Sequence, residues 1–539
     1  MLKIIKTTPY TDQKMGTGGL RKKSRVVAQP NYVENFVQSI FDTIGGVEGK
    51  TFVLGGDGRY YNKQAIQKII KMAAANGVKK LIIGQNGFIS TPASSHILLK
   101  NKADGGFVLS ASHNPGGIDG DFGIKYATAS GGQCPTAISD KIFANSKNIS
   151  QYKISDADDI DLSKIGRQQL ENMEIEVIDP VTEYAKMLEA IFDFAAIRKL
   201  FAGGFRFIFD AMNAVTGPYA RKIFIEMLGA PEESVINEKP LEDFGGLHPD
   251  PNLIYAKNLV ELMYSDKAPD MGSANDGDGD RNMILGKKFF VTPSDSLAVL
   301  TDNYKLIPAY KNGIYGVAKS AATSTAVGRV AKALNIGYYE VPTGWKYFCN
   351  LMDSNRVTFC GEESFGTGSS HIREKDGIWA ILFWLNIIAA TGKSIEEITR
   401  EHWQKYGRSY YMRNDYDGID TEIANKLMDD LEARLPDLAG KNFGNYTVKE
   451  AKPFIYNDPV DGSSTQNGLM VYFTDNSRIV YRLSGTGTNG ATLRVYLERY
   501  ETELLSEDVE KMLKELADIS RDIAEIVKRT GKTQADLLT

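Results

Sequence analysis

The chain has 539 residues, 42% of them hydrophobic and 24% charged, with a formal net charge of −5. That composition belongs to globular domains, about three to five of them at ordinary domain size. It excludes bulk attraction to nucleic acid or to an anionic membrane, so an anionic ligand would need a locally basic pocket. The three cysteines, Cys134, Cys349 and Cys360, show no CxxC spacing, which excludes a thiolate zinc site and fits a reducing compartment.

The first residues, Met-Leu-Lys-Ile-Ile-Lys, carry no hydrophobic export segment, and the expectation is a cytoplasmic protein. A theme of apolar strand, small-residue turn and amphipathic helix then recurs. It runs from Thr51–Leu54 through Gly55–Arg59 to a helix over Asn62–Ala75. It returns as a strand over Phe205–Phe209 with a helix over Pro218–Leu228, and again as Gly313–Val317 with Thr325–Leu334. Such alternation predicts three α/β domains with mixed sheets. Ile378–Ala390 is a 13-residue apolar run, too short to span a membrane and suited to a buried core helix. After about Tyr406 the pattern changes to a helix over Asp420–Leu435, strands over Gly468–Thr474, Arg478–Leu483 and Thr492–Tyr500, and a last helix. That helix carries an apolar stripe from Val509 to Ile526 and stops at Gly531. The division is therefore 1–176, 177–296, 297–405 and, as an α+β domain, 406–539.

Chemistry-bearing residues cluster in four places. Phe107-Val-Leu ends a strand and delivers Ser112, His113 and Asn114 into a turn opened by Pro115, Gly116 and Gly117, so Ser112 is expected to be displayed, with His113 and Lys125 nearby to manage protons and charge. A turn in which Ser112 or Asn114 merely caps backbone groups would read alike in isolation. In Asn275-Asp276-Gly-Asp278-Gly-Asp280-Arg281, alternate carboxylates point the same way in an extended segment, and three converging hard oxygens suit Mg²⁺. A calcium loop is excluded, because its sixth and twelfth positions hold Arg281 and Lys287 in place of Gly and Glu.

The third cluster joins Pro342-Thr343-Gly344-Trp345-Lys346 to Gly361-Glu362-Glu363-Ser364-Phe365-Gly366-Thr-Gly-Ser369 and His371-Ile-Arg373-Glu-Lys375-Asp376-Gly377. Its acids and hydroxyls on a glycine-rich loop match what vicinal sugar hydroxyls need. The fourth, Arg482-Leu-Ser484-Gly485-Thr486-Gly487-Thr488 to Arg494, contains G-x-G-x-x-G. A strand follows it where a dinucleotide fold needs a helix, and a Walker loop would need Lys where Ala491 stands. What remains is an anion nest between two arginines. Arg21 follows a further glycine stretch, Gly16-Thr-Gly-Gly19, and Arg281, Lys346, Arg373, Lys375, Arg482 and Arg494 each adjoin one of these loops, which supplies the basic pocket.

Ser110-Ala-Ser-His-Asn-Pro, Asp276-Gly-Asp-Gly-Asp-Arg, Gly361-Glu-Glu-Ser-Phe-Gly and Arg482-Leu-Ser-Gly-Thr-Gly, in this order, resemble the α-D-phosphohexomutases, most closely the branch acting on glucose phosphates. The likeness extends to Gly16–Arg21, Gly55–Tyr60 and Gln404–Arg408; Ser110, where the family usually has Thr, is one departure. The resemblance implies four domains around a central cleft, one loop from each. It implies an intramolecular phosphotransferase that interconverts α-D-glucose 1-phosphate and glucose 6-phosphate, with glucose 1,6-bisphosphate as intermediate. On that model Ser112 carries the phosphoryl group, and Asp276, Asp278, Asp280 and a phosphoserine oxygen hold one Mg²⁺. Arg21, Lys125 and Lys375, with His113 in support, serve the transfer. Thr343, Gly344, Glu362 and Ser364 hold the sugar, while Arg281, Arg482, Ser484, Gly485, Thr486, Thr488 and Arg494 hold phosphate. The partner is a small phosphosugar and neither nucleic acid nor membrane, and the protein is a monomer or homodimer. A two-metal serine phosphatase fits poorly with five histidines, and a non-catalytic relative would be expected to lose the serine or a carboxylate.

Overall fold

The computed structural model describes residues 2–484 and 490–538. In the first unit, Thr51–Gly56 lies centrally in a seven-stranded sheet, parallel to Lys80–Phe88 and Gly105–Leu109. Asp121–Thr128 and Leu20–Lys23 extend one edge antiparallel, and Met173–Ile178 and Gly166–Leu170 complete the other. The strand Met173–Ile178 thus lies in the first sheet and crosses residue 176. The second unit has a five-stranded sheet with Phe207–Asp210 parallel to Met271–Asn275. The third has four strands, with Gly316–Ser320 parallel to Phe359–Glu362.

Parallel strands direct their carboxyl ends to one edge of a sheet, where loops gather. Gly105–Leu109 leads there to Ser112, Met271–Asn275 leads to Asp276, and Phe359–Glu362 ends on the sugar-type loop. The helix Gly377–Thr391 is apolar on every side apart from Asn386, whose amide bonds the Asp193 backbone, and it is buried from Gly377 to Ile388. Val53 of the first sheet, Phe207 of the second and Val317 of the third share one hydrophobic cluster with it. A helix that cannot face water on any side cements the three α/β units. Among the described residues, no single helix is long and apolar enough to cross a membrane.

The fourth unit has its own core and a seven-stranded antiparallel sheet, in which Arg478–Ser484 pairs with Ala491–Glu501, and that strand with Arg408–Ile419. The helix Asn62–Ala75 stands where periodicity put it. Two helices differ from expectation. Pro218–Leu228 is a short α-helix over Thr216–Ala220 followed by a π-helical stretch, Arg221–Met227. The last helix breaks after Ile523, because Glu525 takes a left-handed φ of 51°, and resumes over Ile526–Thr530.

Candidate active site

Ser112 follows the buried strand Gly105–Leu109 and adopts φ 53°, a left-handed conformation that costs a non-glycine residue about 1–3 kcal/mol. The Ser110 hydroxyl accepts its backbone N–H at 2.7 Å. Its own hydroxyl donates to Asp276 Oδ2 at 2.7 Å. The expected display of Ser112 is corrected: the residue is only 2% exposed, because the carboxylate loop of the second unit lies over it. His113 Nδ1 is 3.4 Å from Ser112 Oγ. Burial, reinforced by the charges of Arg281 and Arg21, holds that imidazole well below its ordinary pKa, so near neutrality it is uncharged.

Met271–Asn275 leads straight into the acidic loop. Gly279 turns it at φ 80°, where a Cβ would also strike Thr216 Cγ2 at 2.6 Å. Backbone N–H groups of Asp280 and Arg281 donate to Asp276 Oδ1 at 3.0 and 3.1 Å, curling the loop so that all three carboxylates offer an oxygen within 4.8 Å of one another. All three side chains are buried. Asp278 Oδ2 accepts from Thr91 Oγ1 at 2.6 Å and from Lys125, while Asp278 Oδ1 has no hydrogen-bond partner. Burial and then the charges of Asp280 and Asp278 drive Asp276 well above the carboxylate range, as repulsion within an acidic cluster requires. Three converging carboxylates, with Asp278 Oδ1 and Asp280 Oδ1 buried and without a hydrogen bond among the described residues, fit a divalent cation.

Cations surround the acids. Lys125, on the strand Asp121–Thr128, reaches Asp278 and lies 3.3 Å from Asp280 Oδ2. Burial would lower this ammonium, but Asp278 and Asp280 outweigh it and keep Lys125 charged. Lys375 pairs with Asp280 Oδ1 at 3.2 Å, and Arg281 with Asp250 at 3.3 Å, its Nε 3.8 Å from Asp276 Oδ2. Arg21 is pulled below its ordinary pKa by burial and by the like charge of Arg281. Among the described residues, the Nε atoms of Arg21, Arg281, Arg482 and Arg494 and the hydroxyl of Thr343 are all buried without a hydrogen-bond partner. Donors left unsatisfied in this number call for an acceptor-rich anion.

The loop from the third unit is stitched to the acidic loop. Asn282 N–H donates to the Phe365 carbonyl at 2.8 Å, and Gly377 N–H to that of Gly279 at 3.1 Å. Glu362 accepts from Gly344 N–H at 3.0 Å, with Gly344 at φ 131°, and Ser364 stands half-buried beside it. Glu363 faces the other way, accepting from Ser320 at 2.8 Å; burial would raise it, but Arg482 of the fourth unit, Ser320 and Arg413 hold it down. Thr343 N–H donates to Asn467 of the fourth unit at 3.1 Å. Ser484 is buried at the end of its strand, and Arg494 lies 3.5 Å from Asp415. Gly485, Thr486 and Thr488 lie outside the described residues.

Two basic residues of the third cluster leave the site: Lys346 reaches Thr136, and Arg373 pairs with Asp353 at 2.6 Å. Thr91, Asp250, Glu374 and the buried pair Asp57–Arg59 join it without having been singled out. Asp57 and Arg59 stood in a recognisable stretch, Gly55–Tyr60, and Glu374 in another, His371–Gly377.

Three models described as phosphoglucomutase/phosphomannomutase alpha/beta/alpha domains I, II and III match residues 12–153, 182–288 and 293–406. The phosphoglucomutase-1 C-terminal domain matches 408–536. The chain is 56% identical to a phosphoglucomutase of Rhizobium radiobacter and 52% identical to phosphoglucomutase-1 of Homo sapiens, each aligned over 100% of both chains. It superposes on the open form of the Paramecium phosphoprotein pp63/parafusin, a phosphoglucomutase, with TM-score 0.93 and 44% identity, covering 100% of this chain and 99% of that one.

Proposed function

The chain belongs to the phosphoglucomutase/phosphomannomutase, or α-D-phosphohexomutase, family, and from that premise we propose how its residues divide the work of a phosphoglucomutase. The activity is an intramolecular phosphotransfer between α-D-glucose 1-phosphate and glucose 6-phosphate. Ser112 carries the phosphoryl group at rest. The bond from phosphorus to Ser112 Oγ breaks as one forms to O6 of glucose 1-phosphate. The O6 proton leaves, and Ser112 Oγ takes one up. Glucose 1,6-bisphosphate then turns over in the site, its O1 phosphoryl group returns to Ser112, and glucose 6-phosphate departs.

Transfer of this kind needs positioning and charge neutralisation more than covalent assistance. Asp276, Asp278 and Asp280 would hold Mg²⁺ together with a phosphoserine oxygen. Bound there, the ion would neutralise charge on the transferring group. Lys125 and Lys375 offset the carboxylates, and Lys125 with Arg21 manages protons near Ser112 while neutral His113 lines the site. Glu362 and Ser364, with Thr343 and Gly344, hold the sugar hydroxyls. Arg281, Arg482, Ser484, Gly485, Thr486, Thr488 and Arg494 grip phosphate. The units 1–176, 177–296, 297–405 and 406–539 each contribute one loop.

The observation that carries this reading is the 2.7 Å contact between Ser112 Oγ and Asp276, which puts the carrier hydroxyl on the carboxylate cluster. Intact-mass measurement of the wild type is expected to show a phosphate adduct that Ser112→Ala lacks, with turnover abolished in a folded variant. Near-normal turnover in that variant would end the proposal.

A further inference from the structure

Beneath the Ser112 turn, Arg59 and Asp57 form an ion pair with both side chains 0% exposed. Arg59 Nε donates to both Asp57 oxygens at 2.9 and 3.0 Å, and Nη2 lies 2.8 Å from Asp57 Oδ2. The rest of the guanidinium is spent on the turn. Nη2 donates to the Ser112 carbonyl at 2.7 Å, and Nη1 to those of Asp121 at 2.8 Å and Asn114 at 3.3 Å. A guanidinium offers five N–H donors in a rigid fork, and here all three of its nitrogens donate, with Nη2 also within ion-pair distance of Asp57. No other side chain could reach a carboxylate and three separate carbonyls from one buried position.

The acidic loop stands close against the same carbonyl. A Cβ on Gly277 would lie 2.5 Å from the Ser112 carbonyl oxygen and 3.2 Å from Arg59 Nη2. Gly277 is not among the residues with positive φ, so its glycine provides room and not an unusual conformation. The Ser112 carbonyl is thus held by Arg59 and closely approached by the residue that follows Asp276. Phe244 of the second unit closes the arrangement, its ring centroid 5.1 Å from Arg59 Cζ.

We propose that Arg59 is a positioning residue for phosphoryl transfer, fixing the backbone of the Ser112 turn against the acidic loop and so setting the register between the phosphoryl carrier and Asp276, Asp278 and Asp280. The proposal rests on Ser112 being the carrier. Arg59 touches neither the Ser112 hydroxyl nor the carboxylates of the acidic loop. Its effect runs through the main chain: it holds the carbonyl of a residue in left-handed geometry while the Ser110 hydroxyl holds the N–H. Displacement of a reacting group by about 1 Å costs about 10²-fold in rate.

Arg59→Lys keeps a cation for Asp57 but loses the fork. The expected result is kcat lowered by about 30- to 100-fold, with KM for glucose 1-phosphate within about threefold of wild type, since no group that binds substrate is removed. Phosphorylation of Ser112 by excess bisphosphate, followed by intact mass, is expected to slow by a similar factor. Gly277→Ala, whose Cβ crowds both that carbonyl and Arg59 Nη2, disturbs the same junction from the acidic loop, so it should give the same split and decides the question should the lysine variant not fold. A kcat within threefold of wild type in the folded lysine variant, or in the Gly277 variant, overturns the proposal, as does a rise in KM with kcat kept. Absence of phosphate on wild-type Ser112 would instead overturn the reading on which it rests.

Discussion

Asp278→Asn tests the acidic cluster most directly. Thr91 Oγ1 and Lys125 Nζ both donate to Asp278 Oδ2, so the asparagine carbonyl must take that position. The amide NH₂ then replaces Oδ1, the oxygen without a partner, and turns a donor toward the place where a cation would sit. The charge balance shifts as well. Lys125, Lys375 and Arg281 offset three carboxylates, and removing one leaves the cluster one unit more positive. Two unit charges 4 Å apart at an effective dielectric constant of about 20 interact by about 4 kcal/mol, and a dication doubles the term. Relief of the repulsion that raises Asp276 returns part of it. A net loss of about 3–4 kcal/mol corresponds to Mg²⁺ binding weakened by about 10²- to 10³-fold. Calorimetric titration of Mg²⁺ into chelator-stripped protein, paired with turnover against Mg²⁺ concentration, measures it. A folded variant that binds Mg²⁺ within threefold of wild type would show that these oxygens do not hold the ion.

The fourth unit and Glu374 supply two further tests. Arg482→Ala removes a buried guanidinium whose Nε lacks a partner; KM for both glucose monophosphates is expected to rise about 10-fold or more, in keeping with a hydrogen bond to a charged group, and an unchanged KM for both would place the phosphate elsewhere. Burial pushes the Glu374 carboxyl up to about 7, with Lys125 opposing and Asp280 reinforcing it. Because the folded state binds this proton more tightly than the unfolded chain, the stabilisation is fully present below the unfolded pKa of 4.5 and is lost as pH rises through about 7. In chelator-treated protein, Glu374→Gln should therefore flatten the fall in thermal midpoint between pH 5 and 8, a difference of up to about 3 kcal/mol. An identical pH slope in the variant would show that Glu374 does not titrate in this range.

Much of this site was legible because its chemistry is written in short contiguous stretches. Asp276-Gly-Asp-Gly-Asp brings its own carboxylates and its own turn residues, and Asn62–Ala75 carries its apolar face within one helix. What joins those stretches was not legible, because each link crosses a long separation in the chain. Thr91 meets Asp278 across 187 positions, and Arg59 reaches the Ser112 carbonyl across 53. The burial of Ser112 follows from the same cause, since its cover comes from Asp276, 164 residues later, and no local pattern can report it. The strand Arg408–Ile419 hid for a different reason. Its buried Asn414 and Asp415 break the apolar alternation, and Asp415 is held there by Arg413 at 2.9 Å. A polar residue placed where the strand pattern expects an apolar one marks a site, and this one stands beside Arg494, at the edge of the loop proposed to grip phosphate. Cations adjacent to glycine loops could be counted from sequence. That the Nε atoms of Arg21, Arg281, Arg482 and Arg494 are left buried without a hydrogen bond among the described residues needed the fold, and it is that deficit, more than the charge, which calls for a ligand.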